Sequence, residues 1–110
     1  RVPDPACNPY LAFSVLLAAG LEGIEKNYPL GAAIEENVYE MSPEEREKRG
    51  INSLPGNLFD AVSATEKSKV VRRALGEHVF NSFVQNKKIE WNEYRTQITA
   101  YELKRYLPVL

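Results

Sequence analysis

One cysteine, one histidine, one tryptophan and one methionine are all the sequence holds of those residues, and each scarcity closes a class of chemistry. A lone Cys7 cannot form an internal disulfide, and it suits a reducing compartment, so a cytoplasmic location is expected. One Cys together with one His, His78, cannot build a Cys/His zinc site, and no metal centre is expected from these residues. A surplus of positive charge is also missing. Fourteen Lys and Arg stand against 15 Asp and Glu, a net charge of −1, which leaves nothing to release counterions from a nucleic-acid backbone. The longest apolar run, Tyr10–Leu21, has 12 positions, well short of the roughly 20 that span a bilayer. Pro3, Asp4 and Pro5 interrupt its approach where a secretory signal would carry its charged start, and no N-x-Ser/Thr sequon occurs. The run reads as a helix buried on all sides in a soluble protein. The six glycines are scattered and none precedes a Lys-Ser/Thr pair, so there is no phosphate-cradling loop.

What remains is the composition of an ordinary globular chain. The 110 residues amount to one domain or part of one, and 44 % hydrophobic with 26 % charged residues excludes a disordered tail. The sequence starts at Arg1 rather than Met and runs at once into Pro3-Asp4-Pro5, so a piece of something longer is expected. Charge is unevenly spread. Residues 1–65 carry 10 acidic and 5 basic groups, and residues 66–110 carry 5 acidic and 9 basic. Two differently decorated solvated faces account for this most simply, and attraction between the halves is the alternative.

The pattern is helical almost throughout. Asn8 caps a first helix with Pro9 at its first position, and the run extends to about Lys26. Residues 27–41, with Pro29 and Gly31, read as an extended loop. Ser42, Pro43 and Glu45 form a capping box opening a short helix that ends near Gly50. A Pro55-containing linker over residues 51–56 leads to Asn57, which starts a run through Leu58, Ala61, Val62, Val70, Val71, Ala74 and Leu75 until Gly76 stops or bends it. Phe80, Phe83, Val84, Lys87, Trp91 and Tyr94 form one stripe over residues 77–96, with the Lys stem lying along apolar surface. Thr99 and Glu102 supply a second capping box before Tyr101, Leu103, Tyr106 and Leu107. No segment alternates long enough to be a strand, and no repeat or heptad run appears.

Single residues add little chemistry. His78, just after Gly76 at a helix start, reads as structural rather than as the base of a Ser/His/Asp set. Cys7 precedes a helix cap, where a thiol can be acidified, but no partner base accompanies it, so an ordinary buried Cys is expected. Glu44, Glu45 and Glu47 read as solvated charges on an exposed capped helix. Tyr94, Tyr101 and Tyr106 read as packing groups rather than a stacking platform for bases.

The run RVPDPACNPYLAFSVLLAAGLEGI resembles the C-terminal part of the catalytic domain of type I glutamine synthetase, where Arg-x-x-Asp-Pro-x-x-Asn-Pro-Tyr-Leu precedes a buried helix. The likeness continues in family order through IEENVYEMSPEEREKRGINSLPGNL, ALGEHVF and IEWNEYRTQITAYELKRYLPVL. YEMSPEER and EWNEYRTQ look closest to the feedback-regulated archaeal and Gram-positive-like forms. The resemblance implies a mainly α chain, the helical C-terminal segment of the family's catalytic α/β domain, with about five helices joined by Pro/Gly loops. It spans residues 1–110, and residues 98–110 are implied to be a tail for oligomer assembly.

The resemblance further implies an ATP-dependent ligase, in which the side-chain carboxylate of glutamate is phosphorylated and ammonia displaces the phosphate to give glutamine. Mg2+ or Mn2+ would bridge the phosphates in the intact enzyme, as phosphoryl transfer generally requires. Neither metal nor ATP is expected to bind this segment alone. The family's metal-binding Glu lies two residues before Arg1, outside this chain, and its other ligands and ATP pocket lie further upstream. Arg1 matches the Arg that binds glutamate; a planar guanidinium holds a carboxylate through two parallel hydrogen bonds, which Lys cannot reproduce. Tyr39 aligns with the Tyr adenylylated in enterobacterial-type enzymes. Its context, Asn37-Val38-Tyr39-Glu40-Met41-Ser42, departs from the usual Leu-Tyr-Asp-Leu-Pro-Pro, so it reads as a loop Tyr with modification as the alternative. Tyr101, Leu103, Tyr106 and Leu107 are implied to hold a homododecamer of two stacked hexameric rings. Gly31–Ala33, where the family often has prolines, and Val62–Thr65, where it is more acidic, are departures at expected loop or surface positions. A free-standing, non-catalytic helical interaction module related to glutamine synthetase is the alternative function.

Overall fold

The computed structural model describes residues 3–109, so Arg1, Val2 and Leu110 lie outside the described residues. Five α-helices and a closing 3-10 turn follow one another, with no strand among the described residues. They are α1 (Pro9–Glu25), α2 (Pro43–Lys48), α3 (Leu58–Lys67), α4 (Lys69–Tyr94), α5 (Ala100–Tyr106) and the 3-10 turn Leu107–Val109. The chain is mainly α, as the pattern of apolar residues and caps requires.

Helix ends are set by side chains and by left-handed residues. Asn8 Oδ1 accepts from the Tyr10 and Leu11 amides, and Pro9 follows where its missing N–H is harmless. Both expected capping boxes are present, Ser42 with Glu45 and Thr99 with Glu102. The C-terminus of α1 is fixed by neither Gly20 nor Gly23 but by Asn27, at φ 49°. The Tyr28 amide then bonds back to Gly23 O at 3.0 Å and the Asn27 amide to Ile24 O at 3.1 Å, a Schellman closure. Gly50, at φ 68°, closes α2 the same way, with the Ile51 amide donating to Arg46 O at 2.8 Å.

The break expected at Gly76 is present, and Ser68 adds a second boundary that was not expected. Its hydroxyl accepts from the Val71 amide at 3.2 Å and opens α4, having ended α3 in extended backbone. A serine side chain that can bond its own downstream amide competes with helix continuation, which the apolar spacing across 58–75 concealed. Gly76, at φ 72° and ψ 159°, is non-helical, so α4 is two helices meeting at a kink there. That region is open essentially to glycine alone and costs other residues about 1–3 kcal/mol. A Cβ there would meet open space, so the cost is purely conformational. Gly76→Ala should therefore lower the thermal and urea midpoints by an amount in that range; an unchanged midpoint would show that α4 straightens freely.

The core sits where α3 crosses α4. Phe80 is 1 % exposed and packs with Val62 and Val84, flanked by Leu58, Val71 and Leu75. Across the bend, the Arg72 guanidinium lies 4.1 Å from the centroid of the Phe80 ring and bonds Glu77 at 2.8 Å. The expected stripe on α4 is seen: Phe83, Lys87 and Trp91 are half-buried, and Tyr94 closes it at the exposed end. Helix α1 packs on α4 alone among the described helices, through half-buried Leu11, Val15 and Ala18 and buried Glu22. Its other apolar side chains, Tyr10, Phe13, Leu16, Leu17, Leu21 and Ile24, are exposed. The expectation of a helix buried on all sides is not met within these residues, because α1 has one neighbour here. Helix α5 and the 3-10 turn touch each other and no other helix.

The result is extended. The radius of gyration is 18.3 Å, against about 13 Å for a compact domain of 100 residues. The accessible surface is 9773 Å², where a compact monomer of this mass exposes about 6200 Å².

Candidate functional site

A hydrogen-bonded turn at Asp4–Cys7 leads into α1. Asp4 Oδ1 accepts from the Ala6 amide at 2.8 Å, and Asp4 O accepts from the Cys7 amide at 3.0 Å. Pro3, Pro5 and Pro9 fix φ along the same stretch. Arg1, the expected glutamate-binding residue, stands three residues before this turn in sequence and lies outside the described residues. Cys7 is half-buried rather than buried, since the turn that precedes α1 has few neighbours. His78 is exposed on α4.

Among the described residues no three His, Cys, Asp or Glu side chains converge on a point that could hold a metal ion. The groups present therefore do not fit a divalent metal, and no step through one is assigned to them. No described helix is long and apolar enough to cross a membrane.

Among the described residues the one buried charge is Glu22, 6 % exposed. Its carboxylate accepts from Lys26 Nζ at 2.8 Å and Tyr28 Oη at 3.1 Å, both brought back by the α1 closure, and from Arg73 Nη2 of α4 at 2.6 Å. The Lys26 bond lowers its pKa most; burial opposes, and the Tyr28 and Arg73 bonds lower it further. A carboxylate held below its ordinary value contributes stability that is present above the unfolded-state pKa and lost as pH falls through the folded one. Glu22 thus stays ionised at neutral pH. Sequence reading missed this site. The Glu22/Lys26 spacing of four was a legible local signal, but Arg73 is 51 residues away and nothing local points to it.

The same pair joins the acidic and basic parts of the chain. Three further α4 cations are paired: Arg72 with Glu77, Lys87 with Glu90 at 2.5 Å and Lys88 with Glu66 at 2.6 Å. Of the acidic cluster on α2, Glu45 serves the capping box, while Glu44 is held below its usual range by its own backbone amide and by Ser42. Arg49, closing α2, bonds Glu36 of the loop at 2.9 Å, which lowers the carboxyl and raises the guanidinium.

Tyr39 tops a tight turn in the same loop. Asn37 Oδ1 accepts from the Tyr39 amide at 3.2 Å, and Asn37 Nδ2 donates to Glu40 at 2.9 Å, which leaves the Tyr39 ring 97 % exposed. Tyr101, Leu103, Tyr106 and Leu107 are all exposed on the α5 arm. Shallow clefts also lie among the described residues. One, about 180 Å³, lies between α3 and α4 against Phe59 and Trp91; the other, about 490 Å³, lies between the 31–36 loop and Arg49–Ile51.

Set beside known proteins, the chain matches the family model described as glutamine synthetase, catalytic domain, over residues 1–106. The chain belongs to the glutamine synthetase family. The glutamine synthetase of Mycobacterium bovis is 55 % identical over 107 residues, covering 97 % of this chain and 24 % of that protein. The protein of the same name from Methanosarcina mazei is 49 % identical over 110 residues, all of this chain and 25 % of the other. That from Thermus thermophilus is 49 % identical over 107 residues, 97 % of this chain and 24 % of the other. The chain thus spans about a quarter of the length of the curated relatives it matches. The family match extends from Arg1 to the end of α5.

Proposed function

We propose that this chain is the C-terminal helical part of the catalytic domain of a glutamate–ammonia ligase. The intact enzyme makes L-glutamine from L-glutamate, ammonia and ATP through a γ-glutamyl phosphate, with Mg2+ or Mn2+ held by residues other than those described. One observation carries the reading: identity of about half or more to proteins named glutamine synthetase over essentially the whole chain. Within it, Arg1 binds the side-chain carboxylate of glutamate through its guanidinium fork. The α5 arm joins two hexameric rings into a dodecamer, a role supported by its exposed apolar side chains and its isolation from other helices. A cytoplasmic setting belongs to the same proposal, supported by the single cysteine.

A second reading attaches to Tyr39. Its near-complete exposure on a hydrogen-bonded turn supports reach by an adenylylating enzyme. Its departing sequence context supports the plain loop role instead, and the loop role is the one we adopt.

The extended shape and the exposed apolar face of α1 support a segment that completes its burial against other parts of a larger protein. The purified 110 residues should form no glutamine from ATP, glutamate and ammonia, and should associate in sizing experiments. Measurable turnover by this chain alone would overturn the proposal in favour of a self-sufficient enzyme.

A further inference from the structure

Helix α1 carries two apolar stripes. Leu11, Val15, Ala18 and buried Glu22 share the side that meets α4. Tyr10, Phe13, Leu17, Leu21 and Ile24 recur at the same helical spacing and are between 50 % and 81 % exposed. With 3.6 residues to the turn, the two stripes lie about 130° apart round the helix.

Apolar burial has no preferred direction and grows with the area removed from water. By that measure the wrong stripe is covered. Two large side chains and an alanine meet α4, while five large ones face away. Nor does a polar side turn the helix, since Ser14 donates its hydroxyl to the Tyr10 carbonyl of its own helix at 2.8 Å.

Glu22 is the directional group on the covered side. Its carboxylate accepts from Arg73 of α4 at 2.6 Å, and Lys26 and Tyr28 add bonds from the end of α1 and the loop after it. Arg73 remains 60 % exposed, so solvation is lost mainly at the carboxylate, where three donors replace it. Turning α1 through the angle between its stripes would carry Glu22 away from Arg73 and break the bond. Pairs of this kind are better attested as devices that select one packing than as sources of net stability.

We propose that the Glu22–Arg73 pair is a face selector for α1: it holds the smaller apolar stripe on α4 and keeps the bulkier stripe turned away from it.

The test uses the 110-residue chain and hydroxyl-radical footprinting, which reads side-chain exposure residue by residue. Glu22→Ala with Arg73→Met removes the pair without leaving a buried charge unpartnered and adds no bulk to the smaller stripe. Neither residue belongs to the α3–α4 core, so Phe80 should stay protected in every variant. With the pair gone, area decides. Leu11 and Val15 should react roughly twofold faster than in the parent chain, and Phe13 and Leu17 roughly twofold slower. Adding Phe13→Ala and Leu17→Ala to the same background removes the competing stripe and should return Leu11 and Val15 to their parent protection. This second reading holds even where association between chains shields the outer stripe. An unchanged pattern in Glu22→Ala/Arg73→Met overturns the proposal, because packing alone then chooses the smaller stripe. Exposure of Leu11 and Val15 that persists after Phe13→Ala and Leu17→Ala overturns it too, because the pair is then a fastener that selects nothing.

Discussion

Replacing Arg1 with alanine in the intact ligase should lower kcat/KM for glutamate by about 10- to 1000-fold. The proposed partner is a carboxylate that becomes an acyl phosphate and gains negative charge as the reaction proceeds. Hydrogen bonds to charged groups contribute roughly 1.5–3 kcal/mol each, and a guanidinium offers two in parallel. Arg1→Lys keeps the charge and loses the fork, so it should restore only part of the rate. Because the charge on the partner grows during the chemical step, kcat should fall as well as KM rise. ATP affinity measured without glutamate should change little, since the nucleotide is held elsewhere in the proposed enzyme. Steady-state kinetics with glutamate and ATP varied separately decide the matter. Near-normal glutamate kinetics in both variants would make Arg1 structural.

Local chemistry made most of the helix starts legible. Asn8, Ser42, Asn57 and Thr99 each place a side-chain oxygen where orphan amides need one, and the structure uses all four. Gly50 and Gly76 were legible for the complementary reason, since both sit at positive φ. What escaped was decided by competition or distance. Ser68 caps a helix inside a run whose apolar spacing is unbroken, and Asn27 takes a left-handed role that the nearby Gly20 and Gly23 disguised. The Glu22 network needs a partner from α4, and separation in sequence hides it. Apolar runs also fail to say what will cover them. Tyr10–Leu21 reads as fully buried, yet only the stripe facing α4 is covered here. The candidate site was legible through resemblance rather than through periodicity. Arg1 carries no local signal that distinguishes it from any terminal arginine, and only the motif through Leu11 singles it out.

Deleting residues 99–110 from the intact enzyme should release hexamers or smaller species from the proposed dodecamer. The α5 arm is built to hold a shape by itself. Its Thr99–Glu102 capping box satisfies both ends of the first turn, with the Thr99 amide donating to Glu102 at 2.7 Å, and Lys104 and Arg105 complement the dipole in the last turn. Yet seven residues are far too few for a helix to persist on local terms in water, and no other helix supports this one. Its apolar groups, Tyr101, Leu103, Tyr106, Leu107 and Val109, are at least half exposed. Burying each large side chain is worth about 1.5–3 kcal/mol, so several of them inserted into a partner are enough to hold one ring against another. Because an assembly repeats the contact in every subunit, loss of the arm removes it everywhere at once. A milder variant, Leu103→Ala with Leu107→Ala, should weaken the assembly and make it dissociate on dilution while leaving each ring intact. Sedimentation or light scattering reads both variants directly. A truncated enzyme that still runs as a full dodecamer would show that the rings are joined by other surfaces and that the arm is merely a peripheral ornament.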